Sequence, residues 1–301
     1  MLTKAVATRF YGLVSTREPV TSWGRWGADD ELGAMNQVAA EQVLAGLAEA
    51  VTGRVVSLAT PIRNNQGFGL VGRRPAAHYM VRSGADYAAG LPERAGFGYA
   101  DDVIAMPTQG ATHVDALAHV WRDHTMYNGF SAREVTGRGA RRLGIDKMPP
   151  LVTRGVVVDA SAHREPVRAE RLQQLLHAQD VRLRPGDALL VRTGWLAAAL
   201  RGDADGTRWP GLHPDCGDLL AGAGITLIGA DNPGVEAFPS PDPACQVPLH
   251  VQLLRDHGIY FSELMALDEL CAARRPTFLF VLAPLPLVGA VGSPVSPVAV
   301  L

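Results

Sequence analysis

The residues best suited to chemistry sit in one stretch, Thr108-Gln109-Gly110-Ala111-Thr112-His113-Val114-Asp115-Ala116-Leu117-Ala118-His119. His113 and Asp115 are two apart, a spacing that puts both side chains on one side only where the backbone is extended. Asp115 and His119 are four apart, which brings side chains together on a helix. The two spacings together predict a strand or loop that turns into a helix at about Asp115, where an aspartate suits the N-terminal turn. Two imidazoles and a carboxylate would then converge, a donor set that suits zinc, manganese or iron. The same spacing also suits an N-capping aspartate between two histidines that only hydrogen-bond in the core. A second pair lies further on. His250 falls near the start of a predicted helix, and Glu263 ends the short strand that follows it. A returning strand can bring these two together; a surface histidine and an exposed glutamate are the alternative.

Trp121, Tyr127 and Asn128 follow the first cluster closely and are candidates for an aromatic pocket with a polar anchor. Trp121 fits plain core equally well. Asp231 and Asn232 stand at a predicted strand end, a usual place for site residues in α/β folds, although turn chemistry at Asn232-Pro233 explains them nearly as well. His124 is the nearest spare imidazole. His78, His163, His177, His213 and His257 are read as surface or capping residues.

Alternating elements must position these groups. Asn36 is a plausible N-cap for a helix running to Val51, with Gly53 past its end. Strands are expected over 55–62, 155–159, 187–193, 225–230 and 277–283. Helices are expected over 167–178, where Leu172, Leu175 and Leu176 share a face, and over 195–201, 214–221 and 248–256, the last with proline in its first turn. This alternation argues for a layered α/β fold, more β-rich and looped in its first hundred residues and at its end. Gly67-Phe-Gly69-Leu-Val-Gly72 matches a dinucleotide fingerprint in letters only. It lacks the strand before and the helix after that such a site needs.

The chain has 301 residues, 28 Lys plus Arg against 30 Asp plus Glu, and 47% hydrophobic residues. That balance excludes intrinsic disorder and gives no electrostatic case for nucleic acid or an anionic membrane. The three cysteines, Cys216, Cys245 and Cys271, form no CxxC pair, so a zinc ribbon is excluded and reduced thiols in a cytoplasmic setting are expected. The first fifteen residues lack a long apolar run, so no signal peptide is read there. The uncharged stretch from Pro276 to Leu301 is interrupted by Pro284, Pro286, Pro294 and Pro297 and reads as a buried strand plus loops, not a membrane span.

The stretch around His113 resembles the His-x-Gly-Thr-His-x-Asp-x-x-x-His signature of the cyclase family of metal-dependent hydrolases, which includes bacterial kynurenine formamidases and isatin hydrolases. The likeness covers nearly the whole chain, as one domain over 1–301. Residues 25–36 look like the N-terminal block of longer members; 186–195 and 229–232 are similar to internal blocks; 250–263 looks like the second ligand segment; 283–285 and 292–295 resemble the close. The resemblance implies a mixed β-barrel-like core flanked by helices, of the swivelling β/β/α type, usually as a homodimer or homotetramer. It implies a divalent metal, zinc or manganese, with His113 and Asp115 as ligands, His250 and Glu263 completing the metal environment, and His119 as general base or acid. The family's first histidine, four before His113, is Gln109 here, a poorer zinc ligand than imidazole. Three functional readings follow: a metal hydrolase of a small cyclic or N-acyl amide or lactone, a biosynthetic cyclase or lyase using the metal as a Lewis acid, and a non-catalytic ligand-binding relative.

Overall fold

Apolar runs rich in valine, leucine and phenylalanine build the centre of the molecule, because such runs satisfy their backbone in a sheet while burying both faces. The computed structural model describes residues 20–301 apart from Val71 and Arg164; the segment read for a signal peptide lies outside the described residues. The strands are β1 (Val55–Ser57), β2 (Ala77–Arg82), β3 (Asp101–Ala105), β4 (His113–Asp115), β5 (Val135–Thr136), β6 (Gly139–Ala140), β7 (Leu151–Asp159), β8 (Ala188–Arg192), β9 (Leu227–Ala230), β10 (Tyr260–Glu263), β11 (Thr277–Leu282), β12 (Gly292–Pro294) and β13 (Val298–Val300). Nine of them form one curled half-barrel sheet in the order β1-β13-β11-β7-β8-β9-β10-β4-β12. β7 to β10 run parallel to their neighbours in that order, and the outer pairings are antiparallel. The sheet is therefore mixed, flanked by α1 (Ala40–Leu47), α3 (Ala169–Ala178), α4 (Trp195–Arg201), α5 (Cys216–Ala223) and α6 (Asp268–Ala272), with α2 (Gly84–Ala88) in the β2–β3 connection. No helix among the described residues is long and apolar enough to cross a membrane, and the 276–301 stretch forms strands and loops as expected.

Several elements differ from the sequence expectations for identifiable reasons. The helix expected from Asn36 to Val51 is shortened. The Asn36 amide donates to Asp30 Oδ1 and the Gly33 carbonyl, closing a 3-10 turn over Gly33–Gln37. The α-helix begins only at Ala40, where Gln42 Oε1 accepts the Ala39 amide. The strand expected over 55–62 pairs only through Ser57, before Pro61 can deny the ladder a donor. The helix expected over 248–256 becomes a wider π-helical turn over His250–Asp256, a rare form that is frequent at functional sites.

Close packing constrains the glycines of this sheet. A side chain on Gly155 in β7 would run into the Phe278 ring of β11. We expect Gly155→Ala to cost about 1–3 kcal/mol through overpacking; a urea midpoint unchanged from wild type would refute this. Gly33 and Gly258 both have positive φ, and a Cβ on Gly33 would lie 2.6 Å from the Gly258 carbonyl oxygen. Only glycine allows the N-terminal block to approach so closely the backbone leading into β10.

Candidate metal centre

Strand β4 is short but buried at all three positions. Its pleat puts His113 and Asp115 on one face and Val114 on the other, as the two-residue spacing predicts. β10 lies beside it with Glu263 opposite His113, so the glutamate shares that face. Beyond Asp115 the chain makes a tight turn, with the His119 amide donating to the Ala116 carbonyl. This corrects the expectation of a helix starting at Asp115: the four-residue return is made by a turn. His250 enters from the π-helical turn. The result is a cluster in which His113 Nε2 lies 3.3 Å from Glu263 and 3.7 Å from Asp115. His250 Nε2 lies 3.2 Å from Glu263 and 3.9 Å from Asp115, and His119 Nε2 lies 3.8 Å from Asp115. The structure thus brings together His113, Asp115, His119, His250 and Glu263.

The donor set fits a cation. Both Asp115 oxygens and His113 Nε2 are buried without a hydrogen-bond partner, a costly state for polar atoms unless something else satisfies them. Donor atoms of His113, Asp115 and Glu263 all lie within 4.8 Å of one another. Nitrogen and carboxylate oxygen donors with no thiolate suit a borderline or hard divalent ion. Burial disfavours charge on His250, yet the Glu236 and Glu263 carboxylates outweigh it and raise its pKa to about 10. Burial likewise opposes charge on His113, and Glu263 and Asp115 prevail to raise it. Glu263 is buried too, but His113 and His250 hold it well below the usual carboxylate range. His119 is the exception: burial dominates and lowers its pKa, and its side chain is 24% exposed, the most open of the group.

His113 and His250 are oriented from behind. His113 Nδ1 lies 2.7 Å from the Ala111 carbonyl. His250 Nδ1 lies 2.6 Å from Glu236 Oε1, and Glu236 also accepts the backbone amides of Leu249 and His250. The His250 ring rests against Phe261, centroids 4.1 Å apart. Glu236 was not legible in the sequence, because it lies in an irregular loop fourteen residues before its partner. Glu236→Gln should weaken metal affinity about 10- to 100-fold, as loss of such an orienting carboxylate typically does. Titration against a competing chelator checks this, and unchanged affinity would remove Glu236 from the centre.

The other sequence candidates are placed differently. Gln109 is buried, with Oε1 accepting from Arg73 and Thr108 and Nε2 donating to the Val291 carbonyl. Trp121 is 46% exposed, which sets aside its core alternative. The Tyr127 hydroxyl donates to Asp30 Oδ2, and the Asn128 amide donates to the carbonyls of Gly27, Ala28 and Asp30. Both thereby hold the N-terminal block in place. Asp231 accepts from the Thr193 amide and hydroxyl and the Gly194 amide, fixing the entry to α4. Asn232 closes its own turn, accepting from Val235 and donating to Pro210. The hydrogen bonds of these four therefore go to the protein itself. His124 is exposed in a turn and stands outside the cluster.

Comparison with known proteins places this arrangement. The family model described as putative cyclase matches residues 37–237. A kynurenine formamidase of Salinibacter ruber (strain DSM 13855 / M31) is 30% identical over 196 residues, 64% of this chain and 76% of that protein. A crystal structure described as a novel cyclase superposes with a TM-score of 0.85 at 33% identity, covering 94% of this chain and all of the other. Isatin hydrolase A from Ralstonia solanacearum shares the fold, with a TM-score of 0.63 at 22% identity over 87% of this chain and 97% of its own. With two thirds of its length matched by one family model and its sheet shared with a 33% identical structure, the chain belongs to the putative cyclase family.

Proposed function

We propose that this protein is a metal-dependent hydrolase of a small cyclic or N-acyl amide. The carrying observation is the buried, unpartnered Asp115 carboxylate at the centre of His113, His119, His250 and Glu263. The similarity to a kynurenine formamidase points the chemistry toward carbon–nitrogen bonds. His113, Asp115, His250 and Glu263 would hold a divalent ion, zinc or manganese. Such an ion supplies positive charge that polarises a carbonyl and makes water a better nucleophile at neutral pH. His119, open on one side and held below the ordinary histidine pKa by burial, takes the proton from the attacking water and delivers it to the departing nitrogen. Water thereby adds hydroxyl to the carbonyl carbon and hydrogen to the nitrogen as the bond between them breaks. Glu236 and Ala111 keep the two ligand imidazoles in the required tautomer and direction. A panel of formamides, lactams and lactones, assayed with and without chelator, tests this. Chelator-sensitive turnover with oxygen from labelled water in the acid product supports it; a product without that oxygen would mean cyclase or lyase chemistry. Metal-loaded protein that turns over none of the panel would favour a ligand-binding role.

The protein is also proposed to act as a homo-oligomer. β2 and β3 form a two-stranded ribbon, and Tyr79, Met80, Val81, Phe97, Val103 and Ile104 on it or its connection are each 44–66% exposed. An isolated ribbon of this kind is marginal in water. These side chains lie on both faces of the ribbon and expose on the order of 600 Å² in all, so a partner that clasps it would approach the roughly 800 Å² each side buries in a standard interface. A second copy of this chain is the occupant proposed. Sedimentation should show at least a dimer, and Val81→Glu with Phe97→Glu should dissociate it. A wild-type monomer of 32.0 kDa would overturn the proposal.

A further inference from the structure

His119 is held differently from the other two imidazoles of the cluster. His113 and His250 are each tied through Nδ1, one to the Ala111 carbonyl and the other to the Glu236 carboxylate. Among the described residues the His119 ring makes no hydrogen bond, and Asp115, 3.8 Å from its Nε2, is beyond hydrogen-bond reach. The place of the ring therefore follows the backbone that carries it. That backbone is the turn from Ala116 to His119, closed by the His119 amide on the Ala116 carbonyl at 2.9 Å. Two bonds fasten the turn to the rest of the protein. The Ala116 amide donates to the Val291 carbonyl at 3.1 Å, and the Ala118 amide donates to the Leu143 carbonyl at 3.1 Å.

Leu143 is an unexpected residue in that position. It is buried, and its backbone is left-handed, with φ 61°, a conformation that bulky side chains disfavour. Such a conformation persists only where the surroundings over-determine it. The Leu143 amide donates to Glu31 Oε2 at 2.7 Å, and Glu31 Oε1 accepts Arg142 Nη1 at 2.9 Å. One carboxylate thus fixes two consecutive residues through charge-assisted bonds. Glu31 is itself delivered by a fastened segment. Asp30 accepts the Tyr127 hydroxyl and the amides of Leu32 and Gly33, and the Asn128 amide donates to the carbonyls of Gly27, Ala28 and Asp30. On the other side the Arg142 guanidinium rests over the Phe130 ring, 5.2 Å from its centroid.

We infer that Glu31 is a positioning residue for His119: it holds Leu143 in the left-handed form, the Leu143 carbonyl holds Ala118, and the turn sets the imidazole beside Asp115. The inference rests on the reading of His119 as the proton carrier of the hydrolase. Without the Glu31 carboxylate a buried N–H loses its acceptor. Leu143 then relaxes toward the extended region, its carbonyl turns away from Ala118, and His119 moves with the turn. A displacement of about 1 Å in a reacting group can cost a hundredfold in rate. The donors of His113, His250 and Glu263 lie on other elements, so the metal stays.

Zinc-loaded Glu31→Ala, with its metal content verified, should show kcat for amide hydrolysis lowered about 10- to 100-fold and KM within about twofold of wild type. Glu31→Gln should recover most of that loss, because its amide oxygen still accepts the Leu143 N–H. In the His119→Ala background Glu31→Ala should cost nothing further, because the group it positions is gone. Equal losses in both backgrounds, or no loss in either, would overturn the inference. A second readout needs no substrate. In protein labelled with carbon-13 at histidine Cε1, the magnetic resonance signal of His119 is the one missing from His119→Ala. It should shift in Glu31→Ala while the His113 and His250 signals stay. A His119 signal that does not move, or equal movement of all three, would overturn the inference. If wild type hydrolyses no amide, the signal alone decides: its selective shift supports the positioning role while the hydrolase reading falls. Should Glu31→Ala fail to fold, Glu31→Asp, its carboxylate one methylene short of Leu143, takes its place with the same outcomes.

Discussion

His119→Ala should lower kcat for amide hydrolysis about a thousandfold while leaving the metal in place, within the 10²- to 10⁴-fold range that positioned acid–base groups contribute. His119 Nε2 lies 3.8 Å from Asp115, and its side chain is the most open of the five. It can therefore be removed without exposing the more buried donors of His113, His250 and Glu263. Its imidazole is tilted toward the neutral form by burial, the form able to accept a proton. A loss confined to kcat, with metal stoichiometry and melting temperature close to wild type, is the expected signature. Undiminished turnover would refute the proton-transfer role. Loss of metal alongside activity would make His119 a ligand instead.

The second large effect concerns Asp115. Its carboxylate is 1% exposed, lies within 4 Å of three imidazoles, and has no hydrogen-bond partner on either oxygen. A buried charge of this kind is costly without compensation and favourable with a cation beside it. Asp115→Asn should therefore lose most of the stabilisation that metal confers. In chelator the variant should melt no higher than wild type, because the His113 imidazole loses a carboxylate 3.7 Å away that favours its charge. With metal present it should fall much further below wild type, because it binds the ion poorly. An ion at a thousand times its Kd stabilises the native state by about 4 kcal/mol, worth roughly 6 °C in a chain of this length. Differential scanning calorimetry with and without chelator measures the gain in each protein. A metal-induced gain in Asp115→Asn equal to wild type would remove Asp115 from the metal's ligands.

Much of this centre was legible in local spacing. The two-residue interval from His113 to Asp115 works because a strand alternates its side chains, and β4 is a strand. The helix over 195–201 matched its bounds, because a leucine–alanine run between two glycines in the left-handed conformation leaves little alternative. Where local rules competed with long-range contacts, the contacts prevailed. Asn36 would cap a helix in isolation, but Asp30 and the Gly33 carbonyl claim its amide. Tyr127 and Asn128 stand near the motif in sequence, yet their polar atoms anchor residues 24–30, about a hundred positions earlier.

By itself, then, the amino-acid sequence determined the donor types, the pairing of His113 with Asp115 on one face, the family, and the class of sheet that carries them. These depend on covalent spacing and on the side-chain period of a strand, which need no knowledge of the rest of the chain. The tertiary structure alone decided that a turn and not a helix returns His119 to Asp115, and that Glu236 holds His250. It also decided that Gln109 spends its amide oxygen on Arg73 and Thr108. Each of these joins segments that only the curl of the nine-stranded sheet and its loops bring within hydrogen-bond reach, and a hydrogen bond is set by distance in space, not by distance along the chain.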